Sequence, residues 1–262
     1  MSTAATDTGL LQRVLARDRV VVLAGVVGTT ALAWWYIVQL GRLMPPGVPM
    51  AMPMADTASA PELAYLVPMW IVMMVAMMVP SAAPTILLFA SVARRRKATG
   101  VATASAAVFT LGYLLVWAFY GTIAAVGQWK LHHLALLSPA MAFASPWLGG
   151  GLLIAAGLYQ WLPVKDACLS HCRSPLGFLS AEWREGRRGA LMMGIRHGTY
   201  CVGCCAVLMA LLFVAGVMNL LWVAAIALFV LAEKLGPSKH GLSRVAGVLM
   251  IAWGAWVIVA GH

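Results

Sequence analysis

Charge is what this sequence has little of. Only 10% of its residues are Asp, Glu, Lys or Arg, where a soluble domain carries about a quarter. With 62% of 262 residues hydrophobic, the polar surface that would keep the chain in water is missing, and a separate soluble domain is excluded. Cysteine is confined to five positions in two clusters, 168–172 and 201–205. There is no glycine-rich phosphate loop, no nucleophile triad, no nucleic-acid-binding module, no internal repeat and no low-complexity tract. ATP-driven pumping therefore does not reside in this chain. The net charge of +10 does not point to nucleic acid, because the basic residues fall in short clusters between apolar runs, as in membrane topology.

What is there is apolar length. At about 20 apolar residues per crossing, the runs at about 20–40, 63–93, 101–127, 147–162, 194–217, 218–232 and 245–260 predict an all-α, polytopic helix bundle of about seven transmembrane helices, a single integral membrane domain over 1–262. Residues 1–19 read as a polar tail. The first run ends in Trp34, Trp35 and Tyr36, an interfacial belt. It is long for a signal-peptide core and no convincing cleavage site follows, so it reads as a retained helix. With the amino terminus cytoplasmic, the inner segments hold sixteen Lys and Arg and the outer ones only Arg42 and Lys130. That asymmetry follows the positive-inside rule and predicts a multi-pass protein of the bacterial inner membrane whose direct partner is the lipid bilayer.

Two regions are rich in thioether sulfur. The outer loop 41–62 carries five prolines with Met44, Met50, Met52 and Met54, which excludes a regular helix. The second span carries Met69, Met73 and Met77 at i, i+4 and i+8, a stripe that drifts across one helix face, while Met74 and Met78 point elsewhere. Pro80 removes a backbone donor and frees the Ala76 carbonyl. A helix broken at that depth is tolerated where it borders protein or a cavity. His132 and His133 are neighbours in the next loop, diverge on a helix and read as interfacial.

The thiols lie in Cys168-x₂-His171-Cys172 and in His197-x₃-Cys201-x₂-Cys204-Cys205. On a helix, Gly194, His197, Gly198, Cys201, Cys204 and Cys205 fall on one face about 120° wide. Its glycines admit a close neighbouring helix, and its soft ligands then point at that neighbour. Cys201 and Cys205 lie nearest the centre of the face, while Cys204 is displaced from it by about 80° and is expected to be the less critical ligand. The first cluster sits in the cytoplasmic loop 163–190 and the second near the cytoplasmic mouth of the fifth span. A reducing compartment argues against structural disulfides, and two Cys-rich clusters on one face read as metal ligands. Thiolates beside thioethers select Cu(I) over harder ions. Ag(I) and Hg(II) share that softness, and the spacing resembles a zinc site loosely. Cys168, His171, Cys172, His197, Cys201, Cys204 and Cys205, with Met69, Met73 and Met77, are the candidate ligands. Glu233 and Lys234, at the end of the sixth run, read as a charge pair near them.

The runs Pro68-Met69-Trp70 with Met73 to Ser81, Lys165 with the first thiol cluster, Gly194 to Cys205, Gly216 to Asn219, and Glu233-Lys234 together resemble a bacterial family of predicted metal-binding integral membrane proteins of unknown function. The resemblance covers about residues 64–260 and implies metal binding by the Cys and His set. Three function classes follow from the residues: Cu(I) transport or membrane copper delivery, with a copper chaperone or a membrane or periplasmic protein as partner; a membrane thiol or metal redox enzyme; and a metal-sensing or assembly subunit of a membrane complex.

Overall fold

A computed structural model describes residues 3–43, 59–100, 104–138, 141–236 and 241–261. Apart from one isolated bridge between Leu137 and Phe143, its regular structure among these residues is helical. The helices are α1 (Thr3–Leu43), α2 (Ser59–Ala98), α3 (Ala106–His133), α4 (Pro146–Tyr159), α5 (Pro163–Arg173), α6 (Pro175–Glu182), α7 (Gly186–Ala210), α8 (Leu212–Ala215), α9 (Leu220–Leu235) and α10 (Gly241–Ala260). Among the described residues, five segments are long and apolar enough to cross a membrane: Val20–Arg42, Glu62–Lys97, Ala106–His133, Gly186–Ala215 and Gly241–Ala260. At 14 and 16 residues, α4 and α9 are shorter apolar helices. The loop methionines Met44, Met50, Met52 and Met54 lie outside the described residues.

Three local expectations change. The segment expected as a polar tail enters α1 at Thr3. The segment expected as a loop over 163–190 folds into α5 and α6, each with proline in its first turn, where the missing donor costs nothing. The helix containing Pro80 is not broken: α2 continues through Pro68, Pro80 and Pro84. The carbonyl that Pro80 leaves unpaired, that of Ala76, accepts a bond from the Trp34 indole nitrogen at 3.1 Å. A ring expected at an interface thus satisfies a buried backbone group.

Glycine sets the closest crossing, between α3 and α7. A Cβ on Gly194 would stand 2.0 Å from the Phe109 carbonyl oxygen, and one on Gly112 would stand 2.3 Å from that of Leu191. Nothing larger fits, and the approach brings Tyr113 of α3 against the thiol face of α7. The other tight crossing joins α4 to α10 through Gly157 and Gly247. The ends of the helices fix their alternation. Arg96 at the end of α2 pairs with Glu185 before α7 at 3.6 Å. At the opposite end, the Phe143 backbone donates to the Phe213 carbonyl at 2.8 Å and the Trp222 indole to that of Leu211 at 2.8 Å.

Candidate metal centre

The centre of the bundle is sulfur. Cys201, Cys204 and Cys205 of α7 are buried to within 1% of full burial, as are Met73, Met74, Met77 and Met78 of α2. The three thiols sit at i, i+3 and i+4 of α7, so the backbone supplies their first partners. The Cys201 carbonyl accepts from Cys205 Sγ at 2.7 Å and from Cys204 Sγ at 3.2 Å. Cys204 and Cys205 lie with their sulfurs 3.8 Å apart.

A fourth thiol arrives from α5. That helix packs along α7, and the contact is made by Cys168 against Gly203, where a Cβ would come within 2.6 Å of the Cys168 sulfur. One turn further on, Cys172 is buried and comes close to Cys201 and Cys204. Those two sulfurs, and after them burial, push the Cys172 thiol well above its ordinary value. Burial, with Cys204 behind it, pushes Cys168 up as well. All five cysteines are free thiols. The two clusters read separately from sequence are therefore one group in space.

Cys204, displaced from the centre of the face on its own helix, has Cys172 and Cys205 beside it. His197, one turn before Cys201, is buried among the rings of Phe109, Tyr113 and Phe178 at 6.0, 5.7 and 5.2 Å, and its Nδ1 has no hydrogen-bond partner among the described residues. His171 turns another way. Its ring stacks on Tyr200 at 4.1 Å and its Nδ1 bonds the Ala167 carbonyl at 2.9 Å. Met69, Met73 and Met77 are buried on α2, but the thioether that meets the thiols is Met78, whose sulfur lies 3.9 Å from Cys205 Sγ. Among the described residues, no three His, Cys, Asp or Glu side chains form a ready-made cage. The sulfurs are gathered, with Met78 among them.

Three polar side chains complete the centre, and two of them carry no sequence signal. Tyr113 places its hydroxyl 3.1 Å from Cys201 Sγ and donates to the Met78 carbonyl at 3.1 Å. Lys234 of α9 donates to Cys201 Sγ at 2.8 Å and to Ser81 Oγ at 2.9 Å, and Ser81 donates in turn to the Met78 carbonyl at 2.8 Å. Glu233 and Lys234 do not pair with each other. Successive residues on a helix diverge by about 100°, and Glu233 takes Lys165 at 2.6 Å and accepts from Ser243 at 2.7 Å. Lys165 also donates to Gln160. This second polar knot ties α5 to α9 and α10. The Tyr159 hydroxyl, bonded to the Gly203 carbonyl, supports the same stretch.

Chemically the donor set is soft: four thiols and a thioether, each close to at least one other, with one imidazole a helical turn away. Such a set fits Cu(I) and its congeners and suits hard cations poorly. The family model of PpoB2, described as a copper chaperone, matches residues 67–257. The match spans most of the chain, and the chain belongs to that copper chaperone family. No curated protein and no solved structure matches it.

Proposed function

We propose that this member of a copper chaperone family is a multi-pass protein of the bacterial inner membrane that holds Cu(I) on buried cysteine and methionine sulfur and hands it to a partner protein. The observation that carries the proposal is the meeting of Cys172 from α5 with Cys201 and Cys204 of α7, beside Cys205 and Met78. Sulfur donors from three helices converge only where the fold brings them together, and thiols in a dry setting are soft ligands.

The membrane reading rests on the five long apolar segments and takes α4 and α9 as two shorter crossings, seven in all. The sixteen-to-two division of basic residues supports a cytoplasmic amino terminus. In that orientation the α5–α6 end faces the reducing cytosol, where thiols stay free.

Delivery follows from the order of the sulfurs. Cys168 is partly exposed on α5; Cys172, one turn along, is buried; Cys201, Cys204 and Cys205 are fully buried, and Met78 lies beside Cys205. Copper is the cargo, and these residues pass it by exchanging one sulfur ligand at a time, so that it is never without a partner. Each thiol that becomes a ligand gives up its proton. A copper-carrying protein docks at Cys168, the end of the series that meets solvent. Membership of a copper chaperone family favours delivery over the thiol-redox reading. A sensing or assembly subunit would use the same centre.

The test is kinetic. Purified protein is loaded with Cu(I), and release to the water-soluble chelator bathocuproine disulfonate is followed by absorbance. Cys168→Ser is expected to slow release severalfold while leaving equilibrium affinity nearly unchanged, and Cys172→Ser to weaken both. Unchanged rates in both variants, or a protein that takes up no Cu(I), would sink the proposal.

A further inference from the structure

We infer that Lys234 is the built-in counter-charge of the sulfur centre and restricts it to monovalent soft cations, Cu(I) and Ag(I), against divalent ions of similar affinity for sulfur such as Cd(II). The inference rests on the reading that these sulfurs bind the metal.

The geometry is specific. Lys234 is 6% exposed. Its ammonium is held at two points, 2.8 Å from Cys201 Sγ and 2.9 Å from Ser81 Oγ. Ser81 is itself fixed on the Met78 carbonyl, so the cation cannot drift from the sulfurs without breaking a chain of bonds anchored on α2. The acid beside it in sequence offers no neutralisation. Glu233 is engaged by Lys165 and Ser243, and Lys234 has no carboxylate partner among the described residues. A buried positive charge without an anion is costly, and the groups available to balance it are the thiolates.

Counting charge then discriminates between metals. Two thiolates with one monovalent cation make a complex of charge minus one, which the Lys234 ammonium brings to zero. Two thiolates with a divalent cation are already neutral, and the ammonium leaves the buried centre with an excess positive charge. In a medium of low effective dielectric, an unbalanced charge a few ångströms from a metal is penalised far more than in water. The discrimination therefore comes from a fixed side chain outside the ligand set, and softness alone would not provide it.

The test compares Ag(I) with Cd(II) on purified full-length protein by competition against chromophoric chelators. The wild type is expected to prefer Ag(I). Lys234→Met and Lys234→Gln are expected to shift the Ag(I)-to-Cd(II) affinity ratio toward Cd(II) by at least about tenfold, equivalent to about 1.4 kcal/mol. Lys234→Arg, which keeps the charge, is expected to hold the wild-type ratio. A ratio unchanged in the neutral variants, or shifted as far by Lys234→Arg, overturns the inference. So does a wild type that takes Cd(II) as tightly as Ag(I), which needs no variant to fold. A wild type that binds neither Ag(I) nor Cu(I) is a different result, because it removes the sulfur centre itself.

Discussion

Among the described residues two lysines are buried, and they sit in opposite electrostatic circumstances. Lys165, fully buried, has Glu233 at 2.6 Å and the Gln160 carbonyl group as partners. Lys234, almost as buried, has a thiol and a hydroxyl. The first site is neutral as it stands and works as a joint between α5, α9 and α10. The second carries a positive charge that only deprotonated sulfur or an anionic metal complex can match. The difference separates a group that maintains the fold from one placed for a ligand, although the two residues are of one type and Glu233, the partner of the first, is adjacent in sequence to the second.

The largest expected effect tests the joint. Lys165→Met strands the Glu233 carboxylate and should cost about 3–5 kcal/mol, as removing one partner of a buried pair does. A thermal midpoint in detergent should fall sharply, and Glu233→Gln added to it should recover much of the loss. Lys234→Met strands no carboxylate and should cost only the one or two hydrogen bonds it makes, about 1–2 kcal/mol. Equal losses for the two would erase the distinction.

The next effect belongs to the sulfur side. Cys201 touches Lys234, Tyr113 and Cys172, so Cys201→Ser should lower Cu(I) affinity at least about a hundredfold, or about 2.7 kcal/mol. Lys165→Gln, if it folds, should leave affinity within a few-fold. Chelator competition on both would show whether chemistry and support are separable.

A smaller effect is expected from pH. The Cys172 thiol is pushed up by its contacts with Cys201 and Cys204 and by burial, so it is protonated at neutral pH and must lose its proton to become a ligand. Cu(I) affinity should therefore rise with pH, by up to about tenfold per unit for each proton released, and fall as the solution is acidified. Cys172→Ser should flatten that dependence. A slope that is the same in the variant would place the released proton elsewhere.

The smallest concerns α2. Because the helix runs through Pro80 and Trp34 already satisfies the Ala76 carbonyl, Pro80→Ala should leave Cu(I) affinity within about twofold, the range of a surface-like substitution. A loss comparable with that of Cys201→Ser would restore the proline as part of the centre.

Much of this architecture is visible in the sequence, and the exceptions have physical reasons. Apolar length gives the long helices, and the glycine and thiol face of α7 announces a close crossing, realised against Gly112 of α3. The helical period cannot choose between the stripes Met69, Met73, Met77 and Met74, Met78, because the choice depends on which face of α2 meets α7. The displacement of Cys204 on its own helix does not take it out of the centre, because α5 supplies a thiol from the side. His171 shares the spacing of the first cluster but loses its place to stacking on Tyr200. Tyr113 and Ser81 carry no local signal, since each acts through a partner far off in the chain. The separate fates of Glu233 and Lys234 were within reach: adjacent residues on a helix cannot face the same neighbour.

The most direct measurement is X-ray absorption at the copper K edge of protein loaded with one equivalent of Cu(I). Scattering from sulfur neighbours alone or with one nitrogen is expected, and it should diminish when Cys201 and Cys172 are replaced together. A first shell made of nitrogen and oxygen, unchanged by that double replacement, would contradict a copper centre built on these thiols.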